Sequence, residues 1–142
     1  RLSFIPNYVP LPQHLTPKLL SDLYRNMYNR FDRNLFRKIL KKLGIDEKNC
    51  KIAEMSDGMK KKVFVALEIS YYPEIMLIDE MSNDLDRTTV PFLFDLLDDL
   101  VRSNKTTIIM TSHINIDIIK REPIIIIMNE GKLQKYSLNL DS

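Results

Sequence analysis

Two adjacent carboxylates, Asp79 and Glu80, directly follow an uninterrupted apolar run at residues 75–78. Such a run is typical of a strand that is buried on both faces of a parallel sheet. Ligands of open α/β sheets bind beyond the carboxyl ends of the strands, which is where this pair lies. One carboxylate can hold Mg²⁺, which prefers oxygen ligands, and the other can orient or deprotonate a water. By itself, an acidic pair at a strand end is a weak signal, because solvated strand termini are commonly acidic.

Three further features stand near this pair in the sequence. Residues 55–60 open a helix with Ser56 as its cap, and the free N–H groups and dipole of a helix start attract anions. Residues 82–86 form a polar turn before another helix. His113 ends the next strand, which puts a titratable imidazole at the same sheet edge as Asp79. Each feature alone has an ordinary explanation, as a cap, a capping loop or a surface histidine.

In this order and at these spacings, the features resemble the second half of the ATP-binding subunit of ATP-binding cassette (ABC) transporters. Residues 56–59 resemble the signature motif, and residues 75–80 resemble Walker B with its catalytic glutamate. Residues 83–86 resemble the D-loop, and His113 resembles the switch histidine. The four motifs in order make the resemblance strong.

The resemblance covers essentially the whole chain, and it implies a fold. It implies the α/β class and a partial P-loop NTPase fold: a helical subdomain, then a mostly parallel sheet with flanking helices and a C-terminal hairpin. Residues 1–15 would be a strand stub and Q-loop-like segment, and residues 16–72 the helical subdomain with the signature motif. Residues 73–142 would be the second half of the ATPase core, with residues 124–134 as the family's closing hairpin.

The resemblance also implies catalytic roles for three of the matched residues. Glu80 would polarise the attacking water, and His113 would contact the γ-phosphate of ATP. Asp79 would bind Mg²⁺ through a water molecule. ATP and Mg²⁺ are therefore the expected substrate and cofactor.

Four other matched residues would serve nucleotide binding and assembly. Ser56 and Gly58 would contact the γ-phosphate of a nucleotide held by a second subunit, and the Q-loop position falls on Asn7. Asp86 would lie at the dimer interface. In this family two subunits, identical or different, sandwich two ATP molecules head to tail, and their closure drives a transmembrane permease subunit. The resemblance thus implies a cytoplasmic protein that is peripheral at the membrane through the permease.

Several matched positions depart from the family pattern. The Walker A segment and the adenine-stacking aromatic would precede Arg1, so this chain alone is expected to bind Mg-ATP poorly and to be inactive by itself. Asn7 stands in place of glutamine, and Asp57 replaces the first glycine of the signature pair. Asp84 replaces the D-loop glycine, and residues 81–82 replace the usual proline and threonine.

These departures keep a second hypothesis open, in which the chain is a degenerate half-cassette that binds or regulates without hydrolysing ATP. A soluble ABC-type ATPase of DNA repair or translation is a further alternative, but the long coiled-coil arms or second cassette of such proteins are not visible here. The lysine run at residues 60–62 has two interpretations: it screens phosphate charge near the signature, or it is a solvated helix face.

The elements that position these residues follow from periodicity and caps. Apolar spacing predicts one helix from the Thr16 cap to about Arg30 and a second around residues 35–43, ended by Gly44. A connector at 45–55 leads to the Ser56-capped helix, which ends before Pro73. The remaining predictions are strands at 2–6, 75–78 and 106–111, helices at 88–103 and 115–120, and a hairpin of strands 124–128 and 132–138. Alternation of strands and helices in the second half indicates a parallel sheet.

Composition excludes several classes of protein. The 142 residues carry 21 Lys plus Arg and 19 Asp plus Glu, so a net charge of +2 gives no reason to expect a nucleic-acid partner. A single cysteine excludes an intrachain disulfide and fits a reducing compartment. The three glycines are scattered, so the chain brings no glycine-rich phosphate loop of its own. Because it starts with Arg1, we expect processing or a cut from a longer protein.

Overall fold

The computed structural model describes residues 1–81, 84–111, 124–129 and 131–136. It divides the chain into two compact units, Arg1–Ser112 and His113–Ser142. Three sequence predictions lie outside the described residues: the position of His113, the helix at 115–120 and the first part of the polar turn, residues 82–83.

Two helices open the first unit after a short strand, β1 (Leu2–Ile5), and each begins at a side-chain cap. Helix α1 (Pro17–Met27) starts where the Thr16 hydroxyl accepts a hydrogen bond from the backbone N–H of Leu19, as predicted. It ends three residues before the predicted end, because the backbone of Tyr28 turns extended. Helix α2 (Arg33–Lys42) is capped by Asp32 and is followed by Gly44 at a φ of +69°, a conformation that glycine adopts without strain.

The connector that follows contains a short 3₁₀ helix, Ile52–Glu54, and leads into helix α3 (Asp57–Ser70). Ser56 caps α3, which confirms the predicted helix start. Most of the second half of α3 is buried, because α1, α2 and the sheet all contact this helix. Helix α3 therefore forms the centre of the first unit.

Three parallel strands form the sheet of the first unit, in the order β1–β2–β3, where β2 is Ile75–Asp79 and β3 is Thr107–Thr111. Helix α4 (Thr89–Asn104) connects β2 to β3. Leu2 pairs with Ile75, which pairs with Thr107, and Asp79 pairs with Thr111 at the carboxyl end. The predicted α/β class with a parallel sheet is thus confirmed.

The prediction that the strands are buried on both faces is wrong for the residues that the structure describes. One face, which includes Ser3, Ile5, Met76 and Ile78, is buried, and Glu68 of α3 hydrogen-bonds to it through Ser3. The other face carries large apolar side chains that are exposed in the described part of the chain. Its exposed apolar residues are Leu2 (63%), Phe4 (52%), Ile75 (43%) and Ile109 (58%).

A cluster of tyrosines joins the helical lobe to the sheet. The rings of Tyr28 and Tyr71 stack with centroids 4.6 Å apart, and Tyr24 contacts both. The Tyr71 hydroxyl donates to the carbonyl oxygen of Leu2 at 2.9 Å. These tyrosines therefore serve packing in this chain.

The second unit contains the predicted hairpin. Strands β4 (Ile125–Asn129) and β5 (Lys132–Tyr136) pair antiparallel, with Asn129 opposite Lys132. Gly131 has a φ of +74°, which suits the tight turn. Among the described residues of both units, no helix is long and apolar enough to cross a bilayer.

Candidate functional site

The acidic pair lies at the carboxyl end of β2, and the neighbouring strand holds it in place. The Thr111 hydroxyl donates to Oδ1 of Asp79 at 2.7 Å. The backbone N–H of Glu80 donates to the carbonyl oxygen of Thr111 at 3.1 Å. The sheet register thus places Asp79 and Glu80 at the strand end where the sequence predicted them.

Glu80 adopts a backbone conformation that is unusual for a residue with a side chain. Its φ is +47°, in the left-handed region where a Cβ crowds the backbone. Such strain persists only where surrounding contacts hold it, and it is concentrated at functional sites. Asp84, in the same turn, has a φ of +64°. The chain therefore leaves β2 through a segment whose described residues are 80–81 and 84–86 and include two strained positions; these described residues are called the acidic turn below.

The start of α3 has the features of an anion site, together with one feature that opposes anions. The Ser56 hydroxyl accepts from the backbone N–H of Met59 at 3.3 Å and is otherwise exposed to solvent. Asp57, also exposed, occupies the first turn, and its carboxylate lies 3.4 Å from the Lys60 ammonium. A bound phosphate would therefore meet free backbone N–H groups and one neighbouring carboxylate whose charge Lys60 partly offsets.

Gly58 is required by a contact within its own chain. A Cβ added to Gly58 would overlap the backbone carbonyl oxygen of Asp84. The first turn of α3 therefore packs directly on the acidic turn. The resemblance assigns Gly58 to a nucleotide of a second subunit, and the structure adds a reason for glycine that needs no second subunit.

The interpretation of the lysine run at residues 60–62 as a solvated helix face is wrong, and the interpretation that the run screens phosphate charge stays a prediction. Lys61 is 1% exposed, and its Nζ donates to the carbonyl oxygen of Glu80 at 2.9 Å. Lys62 donates to Oδ2 of Asp86 at 2.6 Å, and Lys60 pairs with Asp57. The three lysines are thus neither a solvated face nor a set of free cations, because each has a partner in the chain.

Asp86 is engaged at the start of α4. Its Oδ1 accepts from the Thr88 hydroxyl at 2.6 Å and from the backbone N–H of Thr89 at 2.8 Å. Its Oδ2 accepts from the Thr89 hydroxyl at 2.8 Å and from Lys62. The hydrogen bond from Lys62, followed by those from the threonines, holds the pKa of Asp86 well below its usual range. Asp86 therefore caps α4 and ties it to α3, whereas its predicted place at a dimer interface stays a prediction.

A cleft of about 140 Å³ lies beside the start of α3 and includes the Q-loop-like segment. Its lining includes Asn7, Asp57, Lys60 and Lys61. Asn7 is exposed, so its amide can reach a ligand in this cleft. The structure thus brings Asn7 and the signature segment to one cleft, and the position of His113 lies outside the described residues.

The donors at the acidic turn suit a divalent cation that a nucleotide brings with it. Among the described residues, no group of three or more His, Cys, Asp or Glu side chains could enclose a metal ion by itself. Asp79 offers a partly exposed carboxylate at the strand end. Mg²⁺ commonly takes one or two protein carboxylates and completes its shell with water and phosphate oxygens. The residues therefore fit Mg²⁺ held jointly with a triphosphate.

Sequence reasoning missed two charged groups that the structure buries. Lys61 was treated as part of a surface run, although its spacing from Gly58 places both residues on one helix face. Glu68 was not singled out, yet it accepts from the Ser3 hydroxyl at 2.5 Å and from the Tyr24 hydroxyl at 2.8 Å. Burial raises the pKa of Glu68, and hydrogen bonds from the Ser3, Tyr24 and Tyr71 hydroxyls oppose that shift.

Comparison with protein families and curated proteins gives consistent matches. Residues 11–116 match the family model described as "AAA domain, putative AbiEii toxin, Type IV TA system". The chain is 30% identical over 110 residues to the ABC transporter ATP-binding protein YtrB of Bacillus subtilis, covering 78% of this chain and 37% of that protein. It is 36% identical over 98 residues to the uncharacterized ABC transporter ATP-binding protein YybJ of the same organism, covering 67% and 44%. The chain spans less than half the length of these relatives.

Solved structures share the fold. An ATP-binding subunit of an ABC transporter superimposes with a TM-score of 0.79 at 21% identity, covering 97% of this chain and 59% of that one. A dimeric ATP-binding cassette in a post-hydrolysis state, bound to ADP and Pi, gives 0.79 at 22% identity, covering 98% and 63%. At these identities the likeness concerns the fold alone.

Proposed function

We propose that this chain forms part of an ATP-hydrolysing transporter subunit. The chain belongs to the AAA-domain family and is homologous to ABC transporter ATP-binding subunits. One observation carries the proposal: the start of α3 packs on the acidic turn that directly follows Asp79. An anion-binding helix start and a carboxylate pair thus belong to one structural unit. Hydrolysis of the phosphoanhydride bond of ATP needs both kinds of group, and in a head-to-tail dimer each nucleotide would receive the carboxylates from one subunit and the helix start from the other.

Asp79 would hold the cation that accompanies ATP. Bound Mg²⁺ would neutralise charge on the phosphate oxygens during transfer. The hydrogen bond from the Thr111 hydroxyl fixes Oδ1 of Asp79, and Oδ2, for which the described residues show no hydrogen bond, would face a water or a cation. This division explains why a single carboxylate at the strand end is sufficient when the nucleotide supplies the remaining ligands.

Glu80 would act on the attacking water. Its backbone N–H donates to Thr111 and its carbonyl oxygen accepts from Lys61, so the peptide groups on both sides of its Cα are held. A carboxylate fixed in this way can accept a hydrogen bond from water and orient the oxygen towards a phosphorus atom. His113 remains the proposed contact to the γ-phosphate.

The start of α3 would complete the site of a second subunit. Ser56 and the free N–H groups of the first turn suit a γ-phosphate, and the exposure of this helix start leaves it open to a nucleotide bound elsewhere. Asn7 would contact the bound water or cation from the Q-loop side. We therefore propose a head-to-tail dimer of ATP-binding subunits, joined to a transmembrane permease subunit at the cytoplasmic side of a membrane.

A Glu80→Gln substitution in the natural polypeptide tests this function. The amide keeps the size of the side chain but cannot accept a proton from water, so we expect ATP turnover to fall by about a hundredfold or more. ATP binding, measured by equilibrium titration, should remain close to that of the wild type. Asp99→Asn is the matched control, since it changes an exposed carboxylate on α4 and should leave turnover unchanged. Undiminished turnover in Glu80→Gln would remove the role given to Glu80.

A second candidate function is supported by the exposed carboxylate of Asp57. It lies in the first turn of α3, where a γ-phosphate would bind. Repulsion between the carboxylate and the phosphate, which carry like charges, would disfavour binding. The alternative is a binding or regulatory subunit that does not hydrolyse ATP. Asp57→Gly separates the two hypotheses. A regulatory subunit would gain turnover that the native polypeptide lacks, whereas a competent ATPase would show turnover with either residue.

A further inference from the structure

One face of helix α3 makes three successive contacts with the acidic turn. Gly58 packs on the carbonyl oxygen of Asp84, Lys61 donates to the carbonyl oxygen of Glu80, and Lys62 pairs with Asp86. Positions i, i+3 and i+4 share one side of an α-helix, so these contacts form a continuous seam. Within this seam Lys61 is the member that reaches the residue proposed to act on water.

The burial of Lys61 is unusual for its type. Lysine is almost never fully buried unless it is paired, because removing an ammonium from water is costly. Lys61 is 1% exposed, and its Nζ donates to the backbone of Glu80 at 2.9 Å. The negative charges of Asp84, Asp79 and Glu80 partly compensate for this burial. An apolar side chain would fill the same space without this cost, so packing alone does not account for a lysine.

The atom that Lys61 binds belongs to the strained residue of the turn. Glu80 has a φ of +47°, a conformation that persists in a residue with a side chain only when its surroundings hold it. The contacts that hold its backbone include two hydrogen bonds: Thr111 accepts from its N–H, and Lys61 donates to its C=O. Loss of the Lys61 contact would remove a hydrogen bond that fixes the Glu80 peptide, and a rotation of this peptide would change the direction of the carboxylate.

We propose that Lys61 is a positioning residue for hydrolysis: its ammonium fixes the left-handed Glu80 peptide and thereby aims the Glu80 carboxylate at the attacking water. The inference rests on the proposed function. Lys61 does not touch the reacting atoms in this account, since its Nζ binds the backbone of Glu80. Its contribution is orientation, which affects the chemical step more than nucleotide binding.

Two substitutions of Lys61 in the natural polypeptide separate orientation from packing. Lys61→Met keeps the length of the side chain but removes the donor, so we expect kcat to fall by roughly tenfold to a hundredfold. The KM for ATP should change little. Lys61→Gln keeps an N–H donor without a charge and should recover most of the lost kcat. Lys41→Met, which changes an exposed lysine on α2, is the control and should behave as the wild type.

Hydrogen exchange without nucleotide tests the same contact independently of turnover. In Lys61→Met the backbone amides of the acidic turn should exchange faster than in the wild type, and those of α4 beyond its first turn should not change. Equal kcat in Lys61→Met and wild type, or equal losses in the Met and Gln variants, would overturn the proposal. Unchanged exchange at the turn would also overturn it. If the wild type hydrolyses no ATP, the proposed function fails, and faster exchange in Lys61→Met would still support the contact.

Discussion

Gly58 and Asp84 meet backbone to backbone, so closely that a single added carbon on Gly58 would overlap the Asp84 carbonyl oxygen. The two residues lie in different elements, one at the start of α3 and the other in the turn after β2. Their contact joins the anion-binding helix start directly to the turn that follows the carboxylate-bearing strand end. A substitution at either residue is therefore expected to displace the backbone of the other.

Gly58→Ala should destabilise the natural polypeptide. The added methyl group must displace either the first turn of α3 or the Asp84 peptide, and overpacking of this kind typically costs about 1–3 kcal/mol. The measurement is the midpoint of urea unfolding. Asp57→Ala is the control, because it alters the neighbouring exposed position without the overlap, and its effect should be clearly smaller. Equal stability of Gly58→Ala and wild type would show that the contact is not tight in solution.

Lys62 and Asp86 should show a favourable coupling in a double-mutant cycle. Their ion pair of 2.6 Å joins α3 to the start of α4, and the Asp86 carboxylate also accepts from Thr88 and Thr89. We expect Asp86→Ala to lower the melting temperature more than Lys62→Met, because it removes the α4 cap as well as the ion pair. Thermal unfolding of both single variants and the double variant gives the coupling. Strictly additive losses would mean that the ion pair contributes nothing.

The ion pair of Lys62 and Asp86 also predicts that the stability of the folded protein depends on pH. The pKa of Asp86 is lowered in the folded state, chiefly by Lys62, so the folded protein binds its proton at lower pH than the unfolded chain does. The stabilisation is therefore present above the ordinary value of 3.8 and is lost as the pH falls below it. In Asp86→Asn this part of the acid dependence should disappear. Identical unfolding midpoints against pH for variant and wild type, below pH 4, would contradict the prediction.

For Glu68 we predict that stability depends on pH in the opposite direction. Burial raises its pKa above the ordinary value of 4.5, so the unfolded chain loses this proton before the folded protein does. Its contribution to stability therefore falls as the pH rises through and above 4.5. Glu68→Gln should flatten this part of the curve, while Asp99→Asn, an exposed carboxylate, should leave it unchanged. Urea unfolding between about pH 4 and 7 makes the comparison, and a slope retained in Glu68→Gln would assign it to another group.

The sequence predicted the parts of this fold that depend on local chemistry. The caps at Thr16 and Ser56 could be predicted because a hydroxyl residue directly before a helical pattern commonly accepts a hydrogen bond from the first turn. The strand before Asp79 could be predicted from its apolar run. The burial of Lys61 could not be predicted in this way, since it depends on the acidic turn folding against α3. The exposure of Ile109 likewise depends on which elements cover the sheet, and the pattern of one strand does not contain that information.

The exposed apolar sheet face predicts self-association of the 142-residue chain in isolation. Leu2, Phe4, Ile75 and Ile109 form an exposed apolar patch across three paired strands. Such patches and open sheet edges favour pairing with other molecules. Ile109→Lys should reduce association, and Val101→Lys, at an exposed apolar position on α4, should not. Light scattering against concentration is the measurement, and a monomeric wild-type chain at high concentration would contradict the prediction.

The most direct test of the central claim is the release of phosphate from ATP by the natural polypeptide, measured against protein concentration with and without Mg²⁺. Because the start of α3 is proposed to complete the site of a second subunit, the rate per subunit should rise with concentration until the dimer saturates. Removal of Mg²⁺ should abolish the release. No Mg²⁺-dependent release at any concentration would contradict the ATPase account and leave the regulatory subunit in its place.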